Sequence, residues 1–286
     1  MQSKAFFLNF APHSQTVAAV LRILQDNEPK NRDNMNFLLQ IDPALSNGFM
    51  TPGSGASGYY LLIIVIGLLG WLVQARLQSV FTKYNAEPIP GGMSGAEVAE
   101  KMLRENNIRN VRITHVSGHL TDHFNPQTMT VNLSDSVYAS RSISALAVAC
   151  HECGHAVQHA QGYAPLVLRS QLVPVVSFAS RAAQWVIIGG LVLLATTNNA
   201  VVAWIGIGLI AVSALFSVVT LPVEYNASAR ALAWLESSRT LQGVQLDHAR
   251  EALRWAARTY LVAALSAVAS VVYYVMLILG NNRRSN

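Results

Sequence analysis

The stretch Ile143-Ser-Ala-Leu-Ala-Val-Ala-Cys-His-Glu-Cys-Gly-His-Ala-Val-Gln-His-Ala-Gln-Gly162 sets His151, Glu152 and His155 in the spacing H-E-x-x-H. On a helix His151 and His155 stand one turn apart on one face, so both imidazoles reach a single metal ion. Glu152, beside the first of them, is placed to take a proton from water and pass it to a leaving amine. Zinc suits this pattern: it accepts imidazole and carboxylate in tetrahedral geometry, keeps a position open and brings the pKa of water to about 7. The expected cofactor is one Zn²⁺ ion. Ala145, Leu146, Ala147, Val148, Ala149, Ala156 and Val157 are compatible with helical packing, and Gly162 is a stop signal. The alternative is a pair of core histidines on an apolar helix, and a third ligand decides between the two.

That helix belongs to a chain of 286 residues that is 52% apolar and only 12% charged, too apolar for an ordinary soluble domain. Four runs reach or approach the roughly 20 helical residues that span a bilayer: Gly58 to Val73, Ala182 to Thr197, Ala200 to Leu221, and Tyr260 to Gly280. The second is short unless its helix extends back through Ser177 and Arg181 snorkels to the surface. The expected fold is an α-helical integral membrane protein with about four transmembrane helices and a small α+β zincin-like domain on one side of the membrane. The expected divisions are an extension over 1–56, a first span over 57–76, and the zincin-like domain over 77–173. Spans at 174–197 and 200–221 follow, then the third-ligand and linker helices over 222–258, a span at 259–280, and a tail at 281–286.

The net charge of +5 comes from scattered Lys and Arg, with no nucleic-acid module, so no nucleic-acid partner is expected. These residues act as topology signals. Arg76, Lys83, Arg169 and Arg181, then Arg230, Arg239, Arg250, Arg254 and Arg258, fall on the side that holds His151. The other side offers Asn198 and Asn199, a stretch from Met35 to Tyr59 without Lys or Arg, and Arg283 and Arg284. By the positive-inside bias the metal site is expected to face the cytoplasm, and the membrane is expected to be a bacterial cytoplasmic membrane. Cys150 and Cys153 form C-x-x-C in mid-helix rather than at a helix start after a strand, so they read as small packing residues. A reducing cytoplasm keeps them as thiols.

Before the metal helix, Ser94-Gly-Ala-Glu97 announces a capping box, with the helix ending near Asn106 and Asn107. Two β-prone runs follow, Val111 to Val116 and Thr128 to Leu133, separated by Leu120 to Pro126. They form either a plain hairpin or, in the strand before the metal helix, an edge that holds an extended substrate by strand addition. His115, His119 and His123 lack the carboxylate or cysteine pattern of a second metal site, though His123 is placed to line the cleft. The third ligand is sought where the chain leaves the third span, at Leu221-Pro222-Val223-Glu224. An acidic residue at an apolar boundary is costly unless paired or bound to a cation, which nominates Glu224. Its rival role is a charge at the amino terminus of a new helix, Tyr225 to Leu235, where the dipole favours it. His159 lies about 12 Å along the axis from His151 by helical rise and cannot complete the same site.

Together these segments resemble the YugP-like membrane zinc metallopeptidases of the neutral zinc metallopeptidase family and, more distantly, the HtpX-like and prenyl-protein gluzincins. The resemblance covers roughly Tyr59 to Gly280. It rests on Ser94 to Ala99, Leu120 to His123, Ala149 to Ala156, Gly162 to Leu166 with Arg169, and Leu221 to Ser228. It implies a zinc-dependent endopeptidase acting on protein or peptide substrates at the lipid bilayer, with His151, His155 and Glu224 as ligands and Glu152 as general base. One departure from the wider gluzincin pattern is Ser228, where an aspartate oriented toward a ligand imidazole often stands. Ser228 or Asn226 would then fix that imidazole with a less basic partner. For the oxyanion that hydrolysis creates, Tyr260 and His123 are the candidate donors, with Arg254 in reserve.

Three other functions are weighed against this one. A catalytically silent, zinc-stabilised scaffold has no use for Glu152. An intramembrane-cleaving metalloprotease calls for a longer apolar run around His151 and an aspartate in a later span, whereas Ile143 to Cys150 is short and Asp247 lies in a polar linker. A transporter calls for more polar residues inside its spans. No cleavable signal peptide is expected in residues 1–56, since the first apolar run long enough begins only near residue 58. Residues 1–56 are expected to be a poorly ordered extension, with Met50 as the natural start. Mass spectra of the native protein should then contain no peptide from upstream of Met50, and a full-length amino-terminal peptide refutes that start.

Overall fold

The computed structural model describes residues 55–89 and 92–282; residues 1–54 of the expected extension, Met50 among them, and Arg283 and Arg284 lie outside the described residues, while the extension's last two residues, 55 and 56, belong to a helix. The chain is mostly helical, with four long apolar helices and a small three-stranded sheet. It is an integral membrane protein carrying a small α+β domain. In order, the elements are α1 (Gly55–Asn85), α2 (Gly95–Glu105), β1 (Arg112–Val116), β2 (His123–Asn125) and β3 (Thr130–Ser134), then α3 (Ile143–Ala160), α4 (Ala164–Thr197), α5 (Val201–Ser237) and α6 (Val244–Asn282). Helices α1, α4, α5 and α6 are each long and apolar enough to cross a membrane.

The described residues form two compact units, one of 72–89, 92–177 and 215–264, the other of 55–71, 178–214 and 265–282. In the first, Ser94 caps α2 with the expected box: its hydroxyl accepts from the Glu97 N–H at 3.3 Å, and the Glu97 carboxylate accepts from the Ser94 N–H at 2.6 Å. Val98, Ala99, Met102 and Leu103, recurring at helical spacing, turn one face of α2 into the core. They pack with Leu146, Ala149 and Cys153 of α3 and with Val131 and Leu133 of β3. Asn106 caps α2 and Asn107 takes φ 59°, ending the helix where its sequence indicates. Ser142 caps α3, accepting from the Ala145 N–H at 3.3 Å, and Gly162 at φ 61° follows its end.

The sheet differs from the hairpin option in two ways. Its order is β1-β3-β2, with β1 parallel to β3 and β2 antiparallel to it. The β2 strand comes from the segment read as a connecting loop, and it pairs His123 with Asn132 and Asn125 with Thr130. Asp122 fixes its start, because the buried carboxylate accepts from the Ser134 N–H at 2.7 Å and the Ser134 hydroxyl at 3.0 Å. The consequence is that β3, the strand nearest in sequence to the metal helix, is central and paired on both sides. The edges are β1 and β2.

The helices also run through the breaks expected at 173/174, 221/222 and 258/259. Helix α5 continues past Pro222 for four more turns. Glu224 is therefore in the body of a helix, and the reading of it as an amino-terminal charge falls.

In the second unit, Asn198 takes φ 56° and Asn199 accepts from the Val201 N–H at 2.9 Å, closing α4 and opening α5. Ala183, Ile187 and Leu194 pack with Ala203, Ile207, Ile210, Tyr274 and Ile278. A Cβ on Gly190 would lie 2.5 Å from the Ala203 nitrogen, whereas one on Gly208 would meet nothing within 4 Å. Gly190→Ala is expected to lower the melting temperature of the detergent-purified protein by an overpacking cost of about 1–3 kcal/mol. Gly208→Ala should leave it unchanged or slightly raised, and equal effects at both positions would refute the close approach.

Candidate metal centre

Helix α3 carries His151 and His155 one turn apart, and their rings meet edge to face with centroids 4.8 Å apart. Helix α5 brings Glu224 to them. Its Oε2 lies 3.2 Å from His151 Nε2 and 3.7 Å from His155 Nε2. Among the described residues, this trio forms a group whose donor atoms all lie within 4.8 Å of one another. Two imidazoles and a glutamate, with a fourth position left over, make a donor set that suits catalytic zinc. The residues present fit the ion.

The approach of the two helices depends on Gly154, between the histidines. A Cβ there would stand 2.6 Å from the Ala227 carbonyl oxygen of α5, closer than real Cβ contacts come. Any larger residue pushes apart the helices that carry the donor atoms.

Around the trio is a layer that orients it. Ser228 Oγ lies 3.1 Å from His151 Nδ1, so this serine does contact a candidate ligand imidazole. Asn226 reaches no imidazole directly. Its side-chain oxygen accepts from Gln158 Nε2 at 2.9 Å, and the same amide donates to the Val223 carbonyl at 2.8 Å. With both hydrogens of that amide used, Gln158 Oε1 is left as the acceptor 3.0 Å from His155 Nδ1. The proton of neutral His155 thus sits on Nδ1, and the Nε2 lone pair faces Glu224. Burial opposes a charge on His155, but the Glu224 carboxylate outweighs it and raises the pKa, so protons compete with a metal for this ring. Gln158 is fully buried. Its place one turn after His155 was the only sequence signal for this role.

Arg169 of α4 completes the surroundings, its Nη1 3.2 Å from Glu224 Oε1. A cavity of about 770 Å³ opens beside the trio, walled by Phe124, Asn132, Val148, Leu166, Phe216 and Leu253 among others. Glu152, buried, faces it, and one carboxylate oxygen accepts from the Phe124 N–H at 3.1 Å.

The family described as "Putative neutral zinc metallopeptidase" matches residues 59–279. The chain belongs to this family. It is also 41% identical over 229 residues to "Putative membrane protease YugP" of Bacillus subtilis (strain 168), a match covering 79% of this chain and 98% of that protein. No solved structure matches.

Other residues singled out for this family member fall as follows. Tyr260 lines the cavity, with its hydroxyl in reach of Glu224. His123 lines it too, but its Nδ1 lies 2.7 Å from the Thr121 carbonyl and its Nε2 is 3.2 Å from Asn132 Nδ2. Arg254 is exposed. His159 packs against Phe124 on the cavity wall, with centroids 5.7 Å apart. His115 pairs with Asp135 at 2.7 Å.

Cys150 and Cys153 are buried, and burial above all pushes both thiols well above their ordinary pKa, with nearby negative charge adding to it. That removes the thiolate on which redox chemistry depends. Ellman's reagent is expected to titrate neither cysteine in the folded protein and both after denaturation. Rapid reaction of either in the folded state would overturn their role as packing residues.

Proposed function

We propose that this member of the zinc metallopeptidase family is a membrane-bound endopeptidase that hydrolyses peptide bonds of membrane or membrane-proximal proteins. His151, His155 and Glu224 are its zinc ligands and Glu152 its general base. The observation that carries the reading is the convergence of three donor atoms, two of them on the buried residues His155 and Glu224, beside a cavity that a fourth functional group, Glu152, also faces. Zinc, when bound, supplies a Lewis acid for the scissile carbonyl and acidifies water.

The chain's own residues do the rest. Glu152 takes the proton of the attacking water and hands it to the leaving amine, as a carboxylate beside the first ligand on a helix is placed to do. The oxyanion calls for a donor besides the metal. The Tyr260 hydroxyl and the His123 ring, both on the cavity wall, are the donors this reading assigns. Substrate is held by strand addition at β2 rather than β3. The N–H and C=O of one residue in an antiparallel pair point the same way, so the Phe124 N–H that meets Glu152 marks the side of β2 turned away from β3. The positive-inside bias supports a cytoplasmic site.

Zinc content and casein or peptide cleavage by the detergent-purified protein test the proposal. Wild type should hold one zinc and cleave. Glu152→Gln should keep zinc and lose cleavage, while Glu224→Ala should lose both. Tyr260→Phe should keep zinc and lower kcat by roughly 10²–10³-fold, the effect of removing an oxyanion donor. Zinc without cleavage in wild type would favour the scaffold, and absence of zinc would sink the ligand assignment.

A further inference from the structure

Arg169 is a largely buried cation against the site, and neither hydrolysis nor metal binding has yet claimed a role for it. Its side chain is only 14% exposed, and it reaches in from α4, a different helix from those that supply the donors. Its partner is Glu224, whose side chain is 3% exposed. The two carboxylate oxygens have separate surroundings: Oε1 has Arg169 Nη1 at 3.2 Å, and Oε2 has His151 Nε2 at 3.2 Å and His155 Nε2 at 3.7 Å. A carboxylate with both oxygens open can bind a metal through either or both. Here one is already taken by a guanidinium, whose planar fork fixes direction as well as charge.

We propose that Arg169 is a positioning residue that holds Oε1 of Glu224 away from the metal. Glu224 then binds zinc through Oε2 alone, and one coordination position stays open for the reaction. This rests on the metal-site reading above and adds what that reading leaves open, the number of oxygens Glu224 offers. Arg169 acts through Glu224 and takes no part in proton transfer. The Tyr260 hydroxyl also lines the cavity, but it is neutral, whereas Arg169 carries a charge.

The test replaces zinc with Co²⁺ in the full-length, detergent-purified protein and reads the visible d–d spectrum, which is intense for four-coordinate cobalt and weak for five-coordinate cobalt. Wild type should show the intense bands. Arg169→Met, which keeps much of the bulk and removes the charge, should lose that intensity or bind cobalt more weakly, as a freed Oε1 turns to the metal or Glu224 loses its aim. Arg169→Lys should restore part of it, which a merely structural effect of side-chain volume would not require. A spectrum and affinity for Arg169→Met equal to wild type overturn the proposal, and so does an Arg169→Lys protein no better than Arg169→Met. Should Arg169→Met not fold, zinc-edge X-ray absorption on wild type decides: a single short glutamate oxygen supports the proposal, and a second one at longer distance overturns it. A wild type that takes up no cobalt or zinc refutes the metal site itself, a result separate from any of these.

Discussion

A carboxylate buried in the body of a long apolar helix is the constraint around which the rest of this structure is arranged. Glu224 is 2% exposed, and an ion removed from water to that degree carries a penalty of several kcal/mol unless other charges and hydrogen bonds answer it. The answers arrive from separate elements. Two imidazoles come from α3 and a guanidinium from α4, while the ion itself rides on α5. Replacing this cluster by apolar side chains would suit packing at least as well. A charge retained there is therefore better explained by chemistry than by stability, and a divalent cation is the partner that the donor set fits.

Meeting that constraint requires α3 and α5 to lie closer than side chains normally permit. Gly154 supplies the space, because the Ala227 carbonyl fills the position its Cβ would take. With the backbones so near, short side chains are enough to tie the two helices together around the site. Ser228 reaches His151, and Gln158 bridges from His155 to Asn226 and Val223. These contacts give each imidazole a defined ring orientation. The serine in place of a carboxylate is thus a working contact, less basic but in the right place.

The substrate side is organised by a different rule, the pairing of a small sheet. Once β2 adds to β3, the central strand has no free edge, and the backbone that faces Glu152 belongs to a three-residue strand. A strand so short is held by its neighbours more than by its own propensity. Asp122 bonding back to Ser134 is what pins it.

The helices, the four apolar spans, the capping box at Ser94, the end of α2 at Asn106 and the one-turn spacing of His151 and His155 were legible because each follows from local periodicity or from a residue's own backbone chemistry. Family membership was legible for the same reason, since it rests on contiguous segments. Glu224 was singled out by its cost at an apolar boundary, yet its setting was misjudged: a new helix was expected to begin there, whereas α5 runs unbroken through Pro222. The loop that became β2 and the approach of Arg169 had no local signal, and the bridge through Gln158 had only its spacing from His155. The sequence by itself determined which groups are candidates for the chemistry and which helices carry them. Only tertiary structure decided which oxygen of Glu224 faces the imidazoles, which strand edge faces Glu152 and which side chains aim the ligands. Those depend on contacts between residues 28 to 77 positions apart, and no periodicity along the chain encodes a distance of that kind.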